Sequence, residues 1–225
     1  MIEPTRIIAI RHGETPWNVD SRIQGHLDIP LNATGQHQAA RVAAALAGEP
    51  IAAIYASDLA RAWETAQHLG RAHRLDVVPE KGLRERRFGD FEGRTFAEIE
   101  TVLPAQAQLW RKRDPDFAPP GGESLLDLKH RVEEAAARLA ARHPGELIAL
   151  VGHGGVMDVL YRAATRVPIQ APRTWALGNA AINRLLWTPQ GLSLVGWGDT
   201  RHLDDESLDD SLVAGKMTHA AGSAS

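Results

Sequence analysis

The 225-residue chain contains no cysteine, which excludes disulfide bonds, thiolate metal ligands and a cysteine nucleophile. It has no apolar run near the roughly 18 residues that a membrane-spanning helix needs, and residues 1–11 lack the pattern of a secretory signal. The net charge is only -3, so the composition gives no basic surface for nucleic acid. We therefore expect a soluble cytoplasmic protein whose partners include neither nucleic acid nor a membrane.

Several common catalytic motifs are also missing. The glycines that begin at Gly152 do not complete G-x-G-x-x-G, because Met157 stands where the third glycine is needed. The chain has no P-loop, no G-x-S-x-G nucleophile elbow and no H-E-x-x-H zinc motif. Although there are ten histidines, His12 follows an arginine, whose charge disfavours a bound dication. We expect neither a metal nor a cofactor.

Hydrophobic residues make up 44% of the chain, enough to form a core, and apolar runs alternate with segments of helical spacing. This alternation predicts an α/β sandwich around a mainly parallel sheet, with an antiparallel edge from a hairpin over residues 180–197. Strands are predicted at residues 5–10, 51–56, 75–79 and 147–151, and helices at residues 34–47, 59–70, 123–143 and 156–164.

Two further segments have a different pattern. Residues 80–122 are punctuated by proline and glycine but keep helical spacing at 95–103 and 105–113, which predicts a helical insertion over the core. Residues 204–225 are acidic and then small and polar, so this tail is predicted to be disordered. Residues 13–31 are predicted to be irregular.

Two of the predicted strands end on a histidine. The first runs into Arg11-His12-Gly13, and the most apolar strand runs into Gly152-His153-Gly154. The carboxyl ends of parallel strands meet at one edge of a sheet, so we expect both histidines in one site. The following glycines would allow backbone N–H groups to approach a bound anion closely.

These residue types suit phosphoryl transfer. A neutral imidazole attacks phosphorus through one nitrogen when a backbone carbonyl holds the other as N–H, a role that fits His12. Arg11, Arg61 and His153 would stabilise the phosphoryl oxygens, and the two cations would keep His12 uncharged. Glu85 is the best-placed proton donor, although its arginine neighbours also suit a solvated salt-bridge cluster.

At these residues the chain resembles the histidine phosphatase superfamily, also called phosphoglycerate mutase-like. Residues 11–18 meet the signature R-H-G-E-[TS]-x-x-N in full, and residues 55–62 and 152–154 resemble two further family elements. Asn32 departs from the commoner threonine of a third element. The resemblance covers residues 6–203 and implies that residues 1–203 form a single catalytic domain with a three-layer α/β/α sandwich.

The resemblance also implies roles for individual residues. His12 would be the phosphorylated nucleophile and Glu85 the proton donor, with phosphate bound by Arg11, Arg61 and His153. Further substrate-binding candidates are Asn18, Gln24, Gly25, Gly154, Arg111 and Arg113.

The choice between phosphatase and mutase depends on the segment between Glu85 and His153. It lacks the extra lid of cofactor-dependent phosphoglycerate mutases, and residues 119–124 and 198–203 are similar to the broad-specificity phosphatase branch. Trp110 followed by basic residues resembles a mutase feature, but Lys112 breaks the expected arginine pair. The favoured function is metal-independent hydrolysis of small phosphomonoesters through a phosphohistidine. The alternatives are a phosphoglycerate mutase and a catalytically silent phosphate-binding regulatory protein.

Overall fold

The computed structural model describes residues 3–204. Residues 205–225, nearly all of the tail predicted to be disordered, lie outside the described residues. The described part contains one six-stranded sheet and seven α-helices. The strands are β1 (Thr5–Arg11), β2 (Ile51–Ala56), β3 (Val77–Pro79), β4 (Leu147–Gly152), β5 (Ile182–Thr188) and β6 (Gly191–Asp199). The helices are α1 (Pro16–Val19), α2 (Ala33–Leu46), α3 (Ala60–His73), α4 (Phe96–Val102), α5 (Pro104–Arg111), α6 (Leu125–Ala140) and α7 (Gly154–Thr165).

The strand order is β3-β2-β4-β1-β5-β6. The first four strands in this order are parallel, whereas β5 is antiparallel to both β1 and β6. The predicted mainly parallel sheet with an antiparallel edge is therefore confirmed. The edge is two strands wide, because both arms of the closing hairpin join the sheet.

Alternate residues of β1 divide the core into two halves. Ile7 and Ala9 pack in the cluster that includes residues of α6 and α7, whereas Ile8 and Ile10 pack in the cluster that includes residues of α2 and α3. Successive side chains of a strand point to opposite faces, so the sheet is covered on both sides. This arrangement confirms the three-layer sandwich.

The helix starts differ from the sequence-based expectation in two places. Thr15 caps α1 in a capping box with Asn18, and Pro16 stands in its first turn. Helix α3 has no side-chain cap of its own, since the N–H of Ala60 donates to the Asp28 carboxylate at 2.6 Å. The predicted irregular segment 13–31 therefore contains a short helix and supplies the cap of another.

The predicted helical insertion has its own small core of Phe91, Ile99 and Ala107. The indole of Trp110 stacks on the rings of Phe88 and Phe91, with centroid distances of 5.2 and 5.0 Å. The insertion thus presents a rigid aromatic surface at the carboxyl edge of the sheet. Within residues 3–204, no helix is long and apolar enough to cross a membrane.

Candidate active site

The register of β1 and β4 brings the two strand-end histidines together. The parallel pairing sets Arg11 opposite Gly152, so the next residues of both strands are His12 and His153. Their ring centroids are 5.2 Å apart and both side chains are buried. Arg11, His12, Arg61, Glu85 and His153 are called the histidine site below.

One nitrogen of His12 is fixed by its own loop. Nδ1 lies 2.6 Å from the carbonyl oxygen of Gly13, and because a carbonyl only accepts, Nδ1 carries the hydrogen. Nε2 is then left with a free lone pair. Burial, together with the charges of Arg11 and Arg61, lowers the pKa of His12 well below its ordinary value. The geometry and the electrostatics both keep the imidazole of His12 uncharged, with Nε2 free to act as an acceptor.

The uncharged histidines predict an acid-dependent loss of stability. Burial, then the charge of Arg61, also lower the pKa of His153 well below its usual value. Below pH 6.5 the unfolded chain protonates both histidines while the folded chain does not, so their stabilisation is present above pH 6.5 and declines as the pH falls. Each histidine contributes a slope of about 1.4 kcal/mol per pH unit at most.

Thermal or urea unfolding between pH 7.5 and 5, in buffers without phosphate or sulfate, measures this slope. His153→Asn should remove one proton's share of it, with His37→Asn on the exposed face of α2 as the control for loss of a histidine. A slope in His153→Asn equal to that of the unmodified chain would show that His153 takes up protons equally in both states.

Arg61 is held by the loop before α2. Its side chain is almost fully buried, with a relative exposure of 1%. Nη1 donates to the Leu27 carbonyl at 3.0 Å and Nη2 to the Gly25 carbonyl at 2.8 Å, while Nε has no partner among residues 3–204. Burial lowers the pKa of Arg61 to about 10, so the group stays charged at neutral pH.

Gly25, a predicted substrate contact, fixes this arginine through its carbonyl. Its φ of +51° is left-handed, and a Cβ there would lie 2.1 Å from the Glu92 carboxylate.

Arg11 and Glu85 meet at the start of α7. Arg11 donates through Nη1 to the Leu177 carbonyl, and its Nε has no partner in the described part of the chain. A Cβ at Gly154 would lie 3.7 Å from Arg11 Nε and 3.8 Å from Glu85 Oε2. The Glu85 carboxylate accepts from the Gly155 N–H at 3.1 Å. Hence the helix start, a cation and a carboxylate surround one small space.

The arginines beside Glu85 in the sequence have other partners. Arg84 forms a salt bridge with Asp58 at 2.6 Å, and Arg86 donates to the carbonyls of Glu123 and Phe117. The salt-bridge-cluster interpretation of Glu85 therefore finds no support within residues 3–204.

One prediction about the glycines is wrong. The Gly13 N–H was expected to face a bound anion, but it donates to Thr65 Oγ1 at 3.1 Å. A side chain from within α3 therefore anchors this backbone group. Gly154 lies instead at the first position of α7, where backbone N–H groups have no intrahelical acceptor.

The remaining candidates occupy different surroundings. Asn18 accepts through Oδ1 from the Thr15 N–H and from Asn179, which turns this oxygen toward the protein. Gln24 is buried and its Oε1 has no partner among residues 3–204. Arg113 bonds Asp158 at 3.0 Å, but Arg111 is exposed and pairs with Glu100. The structure thus buries Gln24, ties the partly buried Arg113 to Asp158 and leaves Arg111 on the surface.

A cavity of about 580 Å³ adjoins the histidine site, and its lining includes Arg11, Glu85 and Gly154. Phe88 and Trp110 of the insertion form part of its apolar wall. Its other polar lining residues include Arg86, Arg113, Asp158 and Arg173. His12, Arg61 and His153 are not part of this lining, since they are buried below it. Arg111 does not line it either.

Several residues outside the set of site candidates support the site. Ser57 Oγ lies 2.8 Å from His153 Nε2 and fixes the orientation of that ring. Asn179 donates to the His12 carbonyl at 3.0 Å, and the Ala180 N–H donates to the carbonyls of Arg11 and His12. The backbone of His12 is thus held by a loop more than 160 residues away in the sequence.

The geometry agrees with a family comparison. Residues 7–200 match the model of the histidine phosphatase superfamily (branch 1). The chain belongs to the histidine phosphatase superfamily.

Relatives and a solved structure of this superfamily extend the comparison. The chain is 37% identical over 221 residues to phosphoglycerate mutase-like protein 4 of Arabidopsis thaliana. This match covers 96% of this chain and 95% of that protein. It is 35% identical over 205 residues to the metal-independent phosphoserine phosphatase of Arabidopsis thaliana. This match covers 89% of this chain and 84% of that protein. The structure of a mycobacterial glucosyl-3-phosphoglycerate phosphatase with VO3 matches with a TM-score of 0.78 and 35% identity, over 87% of this chain and 99% of that one.

Proposed function

We propose that the chain hydrolyses small phosphomonoesters without a metal, by transferring the phosphoryl group first to His12 and then to water. The observation that carries this proposal is the fixed tautomer of His12, with Nδ1 on the Gly13 carbonyl and the ring 5.2 Å from that of His153. An imidazole held in this way, uncharged and beside two arginines, is a nucleophile for phosphorus.

In the first step, His12 Nε2 forms a bond to phosphorus while the bond to the ester oxygen breaks. Arg11 and Arg61 stabilise the negative charge on the phosphoryl oxygens, and each has an unpartnered Nε among the described residues. The leaving alkoxide takes a proton from Glu85, whose carboxylate is held on the Gly155 N–H.

In the second step, water attacks the phosphohistidine and gives a proton back to Glu85. The bond between phosphorus and Nε2 breaks, inorganic phosphate leaves, and His12 returns to its starting state. Positioned cations and hydrogen-bond donors carry the stabilisation throughout. The names of two of the reported relatives, a phosphoserine phosphatase and a glucosyl-3-phosphoglycerate phosphatase, support hydrolysis as the outcome.

The mutase alternative has one supporting observation, the name of the Arabidopsis mutase-like relative. Against it, the segment between Glu85 and His153 adds only the short helices α4 and α5 before α6. Arg111, one candidate for holding a substrate carboxylate, pairs with Glu100 on the surface. Hydrolysis is therefore the better-supported outcome.

The test is release of p-nitrophenol from p-nitrophenyl phosphate at mildly acidic pH in excess EDTA. We expect full activity in EDTA, and a strict requirement for Mg²⁺ or Zn²⁺ would contradict the proposal. Incubation with 3-phosphoglycerate, with and without 2,3-bisphosphoglycerate, tests the mutase alternative. A mutase would isomerise the substrate faster than it releases phosphate, whereas we expect the reverse. Binding of vanadate with no product in either assay would indicate a silent binding protein.

A further inference from the structure

The cavity beside the histidine site contains a carboxylate that the proposed chemistry does not use. Asp158 lies on α7 and lines this cavity, yet its relative exposure is only 6%. Its Oδ2 accepts from Arg113 Nη2 and from Arg162 Nε, both at 3.0 Å. Its Oδ1 is buried and has no hydrogen-bond partner among residues 3–204. The carboxylate therefore has one satisfied oxygen and one buried acceptor without a partner among residues 3–204, in a residue that lines the cavity.

The position of Asp158 is rigid because both arginines are themselves fixed. Arg162 donates to the carbonyls of Pro168 and Ala171 at 2.5 and 2.9 Å, and its guanidinium carbon lies 4.6 Å from the centre of the Trp175 ring. Arg113 also donates to the Ile169 carbonyl at 3.0 Å. The Oδ1 atom consequently cannot turn away to find another partner without breaking this network.

A buried acceptor without a partner costs stability, and a bound ligand that donates to it recovers that cost. We propose that Asp158 is a specificity-determining residue whose Oδ1 accepts a hydrogen bond from a hydroxyl group on the alcohol part of the phosphomonoester. This inference rests on the proposed function, since it concerns the leaving group of the same reaction.

The charges around Asp158 select a hydroxyl over an ammonium group as the donor. Arg113 and Arg162 contact the carboxylate, and Arg86 and Arg173 line the same cavity. A substrate ammonium would meet this excess of positive charge, whereas a hydroxyl donates without adding a cation.

An aromatic part of the cavity lining suits the carbon skeleton of such a substrate. Phe88 and Trp110 line it, and their rings stack nearly parallel, with an interplanar angle of 7°. Apolar walls with a few placed polar groups are typical of small-molecule sites. A phosphorylated polyol or sugar therefore matches both features: its C–H groups contact the aromatic wall and a hydroxyl reaches Asp158.

Matched substrates test the inference on the unmodified chain. One set is propyl, 3-hydroxypropyl and 3-aminopropyl phosphate, and a longer pair is cyclohexylmethyl phosphate and glucose 6-phosphate. We expect kcat/KM to be roughly 10- to 100-fold higher for the hydroxylated member of at least one set, the range for a hydrogen bond to a charged acceptor. The 3-aminopropyl ester should gain no such advantage. Equal values for hydroxylated and unhydroxylated esters in both sets, or a preference for the amine, would overturn the inference.

Asp158→Asn provides the second measurement. Arg113 and Arg162 both require an acceptor, so the amide oxygen takes the place of Oδ2 and the amide NH2 replaces the free acceptor. The hydroxyl preference should fall by roughly tenfold, because the charge-assisted bond is lost. Glu49→Gln, which changes an acid paired with Arg184 on β5, is the matched control and should keep the preference. A vanadate-induced rise in Tm checks that each variant is folded.

The outcomes separate this inference from the proposed function. If p-nitrophenyl phosphate is hydrolysed and the hydroxyl preference is missing, or is unchanged in Asp158→Asn, only the role of Asp158 is refuted. If no phosphomonoester is hydrolysed, the proposed function fails and the inference fails with it.

Discussion

Replacing His12 with alanine is expected to lower kcat for p-nitrophenyl phosphate by roughly 10⁴-fold or more, because the covalent route loses its nucleophile. The side chain is buried and its Nδ1 is committed to the Gly13 carbonyl, and among residues 3–204 no other histidine of the histidine site has its ring hydrogen fixed by a backbone carbonyl. His153 differs from it, since its Nε2 is bonded to Ser57, whose hydroxyl can donate or accept and so does not fix the tautomer of that ring.

Rapid quench with a ³²P-labelled substrate identifies the intermediate. The label should appear on His12 in an acid-labile, base-stable linkage, and this adduct should be missing in His12→Ala. His37→Ala, on the exposed face of α2, is the matched control and should retain full turnover. Undiminished hydrolysis by His12→Ala, or release of phosphate with no labelled protein at any time, would mean that water attacks the substrate directly.

Replacing Glu85 with glutamine is expected to lower kcat by about 10²- to 10⁴-fold, the usual contribution of a general acid and base. Glutamine keeps the shape of the side chain and leaves an oxygen that accepts the Gly155 N–H, so the site geometry should persist. Binding of phosphate or vanadate should therefore change by less than about threefold, because Arg11 and Arg61 are unaltered. Turnover and binding thus respond differently to the same substitution.

The leaving group sharpens this test. An alkyl phosphate has a poor leaving group that needs the proton from Glu85, whereas p-nitrophenolate leaves readily without one. Glu85→Gln should consequently slow the formation of phosphohistidine much more for the alkyl ester. Glu133→Gln, which changes an acid paired with Lys129 on α6, is the control. Equal slowing of both esters, or loss of vanadate binding, would assign Glu85 a role in holding the site together.

The strands that carry the histidine site can be predicted because continuous apolar sequence indicates a strand buried on both faces. Residues 147–151 are continuously apolar, as expected for a parallel strand covered on both faces, and all of β4 is buried. The carboxyl-edge rule then places the two histidines side by side. The prediction of an irregular segment over residues 13–31 misses α1, because proline interrupts the interior of a helix but is favoured in its first turn, where Pro16 stands.

Arginine positions near the cavity are harder to predict. Arg111 is the last residue of α5, and Arg113 follows the helix end with a φ of +53°. The two side chains therefore point in different directions, one to Glu100 on the surface and the other to Asp158 at the cavity. The sequence around α5 does not show where this eight-residue helix ends. Arg111 and Arg113 are therefore equally good candidates for substrate binding when only the sequence is considered.

Contacts between distant residues that do not stand at strand ends are not visible in the sequence. Asn179 and Ala180 donate to the backbone carbonyls of Arg11 and His12, and both lie more than 160 positions from His12. Every residue has such a carbonyl, so no sequence pattern marks these acceptors. Asp158 is similar, since its partners Arg113 and Arg162 lie 45 and 4 positions away. These roles follow from the packing of the loop after α7 against the carboxyl edge of the sheet.

The dependence of His12 on residues 177–180 has a consequence during synthesis. Leu177, Asn179 and Ala180 together bond Arg11, His12 and Gly13, and β5 then pairs with β1 from Thr5 to Ile10. During translation, His12 leaves the ribosome more than 160 residues before these supports. The His12 side chain therefore lacks the contacts that orient it until β5 and the segment before it have been made and have folded against β1.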